Sequence, residues 1–246
     1  MSKAFIVAGA LALLSALCVV ARAAEGQTQQ VTPAREEVVA RAWKAMFGER
    51  QDEDIRSVYV EGYFHGATVP NRITVKRPNL FRNEVRSGGV LVFDGRRAAW
   101  VKREPDADGK PRGPELVEPQ SWRHFEIDIA LVFPAFFDYP SELEGVEKVN
   151  GADAYKLHVS LPLGGAVTYY VDAASFLVTK RLVDWDGEPK SELWENLVDG
   201  YLEVDGIHFP DGYAFEGRNG WEKAIYKNVR FNVEPRDELF VIPGEI

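Results

Sequence analysis

Hydrophobic positions along this chain change period once near its start. From Val39 to Phe47, the apolar residues Val39, Ala42, Trp43, Met46 and Phe47 recur at the spacing that places them on one face of a helix. Thr32 can cap that helix, Pro33 suits its first position and Gly48 suits its end. From Arg56 the period becomes two. Val58, Val60 and Phe64 alternate with Tyr59, Glu61 and Tyr63, and Tyr155, Leu157, Val159 and Leu161 alternate with Lys156, His158 and Ser160. Val167, Tyr169 and Val171 continue the pattern, and Trp221, Ile225, Val229 and Phe231 alternate with polar partners near the end. Strands with one buried and one wetted face are an antiparallel habit.

The turns point the same way. Asp94-Gly95, Asn150-Gly151, Gly164-Gly165, Asp186-Gly187, Asp205-Gly206 and Asn219-Gly220 separate strand-like runs. These dipeptides tolerate the positive φ angles of tight hairpins. The expected fold is therefore mainly β (α+β), a curved antiparallel meander long enough to curl into a barrel or half-barrel. One stretch interrupts it. Beyond a loop from Glu104 to Pro114, Trp122, Phe125, Ile129, Val132, Phe133 and Phe136 fall at helical spacing, broken at Pro134. This predicts two short helices inserted into the meander, either plugging the core or covering a cavity.

The N-terminus changes the compartment. Lys3 precedes an apolar run from Ala4 to Ala21 that ends in Ala21-Arg22-Ala23, a small-x-small cleavage pattern. Residues 1–23 read as a signal peptide and 24–246 as a single mature domain in the periplasm. Leu17 before Cys18 does not suit lipid modification, and Cys18 is the only cysteine. The mature chain then has no disulfide, thiol nucleophile or thiolate metal site. Removing Lys3 and Arg22 leaves 27 basic against 38 acidic residues, a net charge of −11. That charge argues against nucleic acid and against adsorption to anionic lipid. With 46% hydrophobic and 12% aromatic residues, the chain can fill a core.

Catalytic signatures are missing. The sequence contains no nucleophile elbow, phosphate-binding loop, dinucleotide fingerprint or H-E-x-x-H. His65, His124, His158 and His208 are scattered without ligand spacing, and Asp106-Ala107-Asp108-Gly109 lacks the later ligands of a calcium loop. No cofactor and no metal are expected, and the protein reads as a binding protein, not an enzyme.

Val75-Lys76-Arg77-Pro78-Asn79-Leu80-Phe81-Arg82, followed by Val90-Leu91-Val92-Phe93-Asp94-Gly95 and Trp100, is the most distinctive wording in the chain. It resembles the LolA family of periplasmic carriers of outer-membrane lipoproteins. The stretches 151–157, 169–172 and 204–210 are similar to the broader group of lipoprotein-sorting proteins, in the same order. The resemblance implies an incomplete barrel closed by short helices around an apolar cavity for acyl chains. The loop from Glu104 to Pro114 and the extended final strands have no clear counterpart in the family.

On this reading the segment from Trp122 to Phe137, with Phe133 and Phe136, covers a cavity lined by Leu80, Phe81, Phe93, Trp100 and Tyr169. The resemblance also implies a role for Arg77, which would bond lid carbonyls in the closed form and be tied to cargo release. The expected function is a monomeric carrier or chaperone that binds lipid or a lipoprotein's acyl chains and sorts them toward the outer membrane. Inner- and outer-membrane donor and acceptor proteins would be its partners. The alternative is an envelope sensor on the same fold, which binds lipids or mislocalised lipoproteins and signals to a partner protein.

Overall fold

The computed structural model describes residues 33–64, 66–102, 107–109, 113–185, 194–217, 220–233 and 236–242. The proposed leader, its cleavage site and Thr32 lie outside these residues, as do His65, Asp106, the Asp186-Gly187 turn and Asn219. Helix α1 spans Arg35–Phe47 and is capped by Ala34, which offers no side-chain bond. It therefore begins two residues later than Pro33 would place it. Glu36 and Glu37 in its first turn and Lys44 in its last suit the helix dipole, and Gly48 ends it at φ 68° with its N–H on the Lys44 carbonyl. Val38, Ala42, Met46 and Phe47 are buried, and Trp43 packs partly buried beside them.

The strands that follow α1 are β1 (Ser57–Phe64), β2 (Asn71–Lys76), β3 (Leu80–Glu84), β4 (Gly89–Phe93), β5 (Ala98–Lys102) and the two-residue β6 (Glu115–Leu116). After the inserted segment come β7 (Glu142–Val149), β8 (Ala152–Ser160), β9 (Ala166–Asp172), β10 (Val178–Asp184), β11 (Trp194–Leu197), β12 (Tyr201–Val204), β13 (Ile207–Pro210), β14 (Gly212–Gly217) and β15 (Gly220–Phe231). Thirteen of them form one antiparallel sheet in the order β6-β5-β4-β3-β2-β1-β15-β14-β11-β10-β9-β8-β7. β12 and β13 stand apart as a hairpin. The sheet is two meanders joined where the first long strand meets the last. It does not close, since β6 and β7 are its edges.

Local chemistry explains the register. Asn150 and Gly151 have φ 50° and 86°, and Asp205 and Gly206 have φ 52° and 73°. Positive φ at both central residues is what a two-residue hairpin turn requires. Asp94 fixes the β4–β5 turn by accepting the N–H groups of Arg96 and Arg97 at 2.8 and 2.7 Å.

The last strand departs from the sequence pattern. Trp221 and Ile225 are 56% and 41% exposed, whereas Ala224 and Tyr226 are buried. The cause is a bulge: β1 pairs Tyr59 with Arg230 but Glu61 with Lys227, so one extra residue sits on β15 near Asn228, at φ 50°. A bulge moves the inward phase by one. Ala224 and Tyr226 face inward before it, and the buried Val229 and partly buried Phe231 do so after it.

The inserted segment contains α2 (Arg123–Val132), Pro134 and a single 3-10 turn, Ala135–Phe137. The second predicted helix is thus one turn long. Seven residues of α2 are buried, from Phe125 to Ile127 and from Ile129 to Val132. Phe125, Ile129 and Val132 join a core with Phe47, Phe81, Phe93 and Phe209, while Ile127, Ala130 and Leu131 join a second with Leu157, Val167 and Tyr169. A helix apolar on nearly every side must be enclosed. Here it fills the concavity of the sheet and divides its interior in two.

Candidate functional site

The inserted segment is held at two places. The first is Arg77, immediately after β2 and only 8% exposed at its side chain. Its Nε donates to Asp138 Oδ1 at 3.0 Å, and Nη2 donates to the same oxygen at 2.6 Å and to Asp52 Oδ1 at 2.7 Å. Nη1 donates to the carbonyls of Ile55 and Asp52 at 2.7 and 3.2 Å. The guanidinium's five donors are all engaged. Asp138 follows the 3-10 turn and is 11% exposed, and Asp52 opens the turn after α1. One arginine therefore joins the barrel rim, the α1 exit and the end of the inserted segment. It grips Asp138's carboxylate instead of lid carbonyls, and the carbonyls it does take belong to the turn after α1. Burial pushes the Asp138 carboxyl above its ordinary value, and Arg77 pulls it back.

Aromatic rings pack under this ion pair. The Arg77 guanidinium lies 4.3 Å from the Phe133 ring centre and 5.6 Å from that of Trp43. Trp43 meets Phe47 at 4.4 Å and Phe137 edge-on at 5.1 Å, and Phe136 meets Phe137 at 4.4 Å. A cleft of about 510 Å³ runs beside them between α1 and the segment 136–141, lined by Arg35, Val39, Phe136, Phe137, Asp138 and Tyr139 among others.

The second hold lies deeper, at the C-terminal end of α2. The last carbonyls of a helix have no partner within it. Phe133 N–H takes the Ile129 carbonyl, the Tyr169 hydroxyl donates to Ala130 at 3.0 Å, and Arg181 Nη1 donates to Leu131. Tyr169 also accepts the Ala135 N–H at 2.8 Å. Burial pushes its phenol well up, so it stays a donor. Tyr169 and Arg181 are side by side on β9 and β10, in a cross-strand row that continues through Asn196 and Phe215. One turn back on α2, Glu126 accepts the Leu163 N–H at 2.7 Å and is itself pushed up by burial. Asp128 lies on α2 between the buried Ile127 and Ile129 and is itself partly exposed. Burial raises its carboxyl to about 7.

The residues singled out from sequence divide by face. Phe81 and Phe93 pair across β3 and β4 and point inward, where Phe93 stacks on Phe125 at 5.5 Å and Phe81 lies tilted to it at 6.2 Å. Phe133 belongs to their core, and Phe136 and Tyr169 to the other, with rings 4.9 Å apart. Trp100 pairs with Leu91 on the inner face but lies at the rim, half-buried over Gly89. Leu80 pairs with Lys76 and, one residue before Phe81, points to the opposite face. Asp52, Asp138, Asp128 and Arg181 were not singled out. Acids placed within the apolar run Phe125-Glu126-Ile127-Asp128-Ile129 are the signal that could have marked Asp128. Among the described residues, no three His, Cys, Asp or Glu side chains gather as a metal site, and no helix is long and apolar enough to cross a membrane.

No protein-family model matches the sequence, and no curated protein matches it. The likeness lies in structure. A LolA superfamily protein from Nitrosomonas europaea aligns over 85% of this chain and 98% of its own, at 14% identity and a TM-score of 0.54. A putative outer membrane lipoprotein-sorting protein domain from Vibrio parahaemolyticus aligns over 83% and 94%, at 13% identity and a TM-score of 0.53. The fold is LolA-like.

Proposed function

We propose that this LolA-like fold serves a periplasmic, non-catalytic carrier, which shelters acyl chains of a lipid or an acylated protein and sorts them toward the outer membrane. Its leader would be removed after Ala23, leaving a soluble monomer that meets donor and acceptor proteins at the two membranes. The observation that carries this reading is the Arg77–Asp138 pair, which ties a buried, mostly apolar segment to the open rim of the sheet. When α2 and the 3-10 turn swing out, the faces they cover, including Phe81, Phe93, Phe133, Phe136 and Tyr169, become available to an acyl chain. Trp100 would border the opening.

The energetics require such an enclosure. A chain of about 15 methylenes gains roughly 12 kcal/mol on leaving water, at ~0.8 kcal/mol each. A polar exterior with net charge −11 in the mature form offers no surface to match that. Closing the segment again competes with the cargo for the same apolar faces, so the latch aids release. The test is transfer of a fluorescent phospholipid from donor to acceptor vesicles. Acceleration by the protein supports the carrier. Absence of both uptake and transfer removes it, and uptake without transfer favours the sensor.

A further inference from the structure

Arg181 is 3% exposed, yet only its Nη1 has a partner, the Leu131 carbonyl. Its Nε and Nη2 are buried with none. No carboxylate among the described residues lies within ion-pair distance. Its neighbours are the ring of Tyr213, 5.1 Å from the guanidinium, and the cross-strand row of Tyr169, Asn196 and Phe215. An arginine stays charged in a protein, and a buried charge without a counter-ion is costly. A helix cap needs one donor at Leu131, which a neutral side chain could supply. The free Nε–H and an adjacent Nη2–H form a rigid fork that matches the two oxygens of a carboxylate or phosphate.

Resting on the carrier reading, we propose that Arg181 is the internal anchor for the anionic headgroup of the cargo, a single-chain amphiphile ending in a carboxylate or phosphate. The headgroup takes the free Nε–H and Nη2–H side by side and draws the guanidinium, with Nη1, away from the Leu131 carbonyl. This releases the C-terminal end of α2 as the acyl chain takes the helix's place between the aromatic walls. Entry of cargo and opening of the segment are then one exchange of partners at one guanidinium.

The test uses the mature chain and calorimetric titration with laurate, dodecanol and acetate. The wild type is expected to bind laurate at least tenfold more tightly than dodecanol, and acetate not measurably. Arg181→Met should bind laurate and dodecanol within twofold of each other, and Arg181→Lys should keep most of the preference. Arg181→Gln replaces the Met variant if that chain does not fold. A wild type that binds both amphiphiles equally, or an Arg181→Met chain that keeps the preference, overturns the anchor and leaves the carrier standing. Acetate binding as tightly as laurate reduces the site to one for small anions and overturns it too. If the wild type takes up neither amphiphile, the anchor falls, and the phospholipid-transfer assay decides the carrier reading separately.

Discussion

Replacing Arg77 by Leu removes the ion pair that joins the rim to the end of the inserted segment, leaving there only the long bond from the Tyr139 hydroxyl to the Pro78 carbonyl at 3.5 Å. Three partners are lost, and they are unequal. Asp52 is 68% exposed and returns to water, so that ion pair contributes at most about 1 kcal/mol. The Ile55 and Asp52 carbonyls lose a charged donor, about 1.5–3 kcal/mol for a well-made bond before water replaces it. Asp138 is left as a nearly buried carboxylate without its cation, and removing one partner of such a pair costs about 3–5 kcal/mol. That last effect dominates. Asp138's carboxyl is already raised in the wild type, and without Arg77 it rises further. A raised carboxyl leaves stability intact at low pH and erodes it as pH climbs through the folded-state value, so the variant's deficit should be smaller at pH 5 than at pH 8.

Urea unfolding followed by tryptophan fluorescence reads this directly, because Trp43 packs against both Phe137 and Arg77. Arg77→Leu with Asp138→Leu removes the stranded charge and should recover most of the loss. In a lipid-retention assay the single variant should hold cargo more tightly. Weakening the closed form by about 3 kcal/mol slows release by up to roughly a hundredfold. Equal retention by variant and wild type, or weaker retention by the variant, refutes the latch.

Other outcomes follow from the same structure. Intact mass of the secreted protein should place its N-terminus near Ala24; a retained segment from Lys3 to Ala23, or an acylated Cys18, contradicts this. Asp128, raised from 3.8 to about 7, leaves stability intact below about pH 4 and erodes it as pH rises through 7, by about 4 kcal/mol at most. Asp128→Asn should therefore flatten the wild type's fall in stability between pH 5 and 8, and an unchanged slope would show that the carboxyl is not held in the interior. Tyr169→Phe deletes the bonds to Ala130 and Ala135 and should cost about 1–3 kcal/mol. It should also speed hydrogen exchange at the Ala135 amide, and an unaltered exchange rate would place the hold on α2 elsewhere.

The hairpins were readable from local chemistry, since Asn150-Gly151 and Asp205-Gly206 take the φ angles their residue types suggest. The inserted helix was readable too, from the spacing of Phe125, Ile129 and Val132. The inward face of β15 was not, because the bulge near Asn228 arises from pairing with β1, more than 150 residues away. Nor could sequence reveal that β1 and β15 join the two meanders. At the site, Arg77 stood out through its motif, while its partner Asp138 read as one acid among many. Arg181 was hidden for a related reason. In Lys180-Arg181-Leu182-Val183 an inward arginine reads like an outward one until the strand phase is fixed by Tyr169 across the ladder.

The central claim is that the interior receives an acyl chain. Mass spectrometry of lipid co-purifying with the protein, extracted gently from the periplasm, tests it most directly. The protein should carry an acylated amphiphile near one per chain, enriched in anionic headgroups and increased by Arg77→Leu. Protein that carries no more acyl lipid than a periplasmic control of similar size, in both wild type and variant, would contradict it.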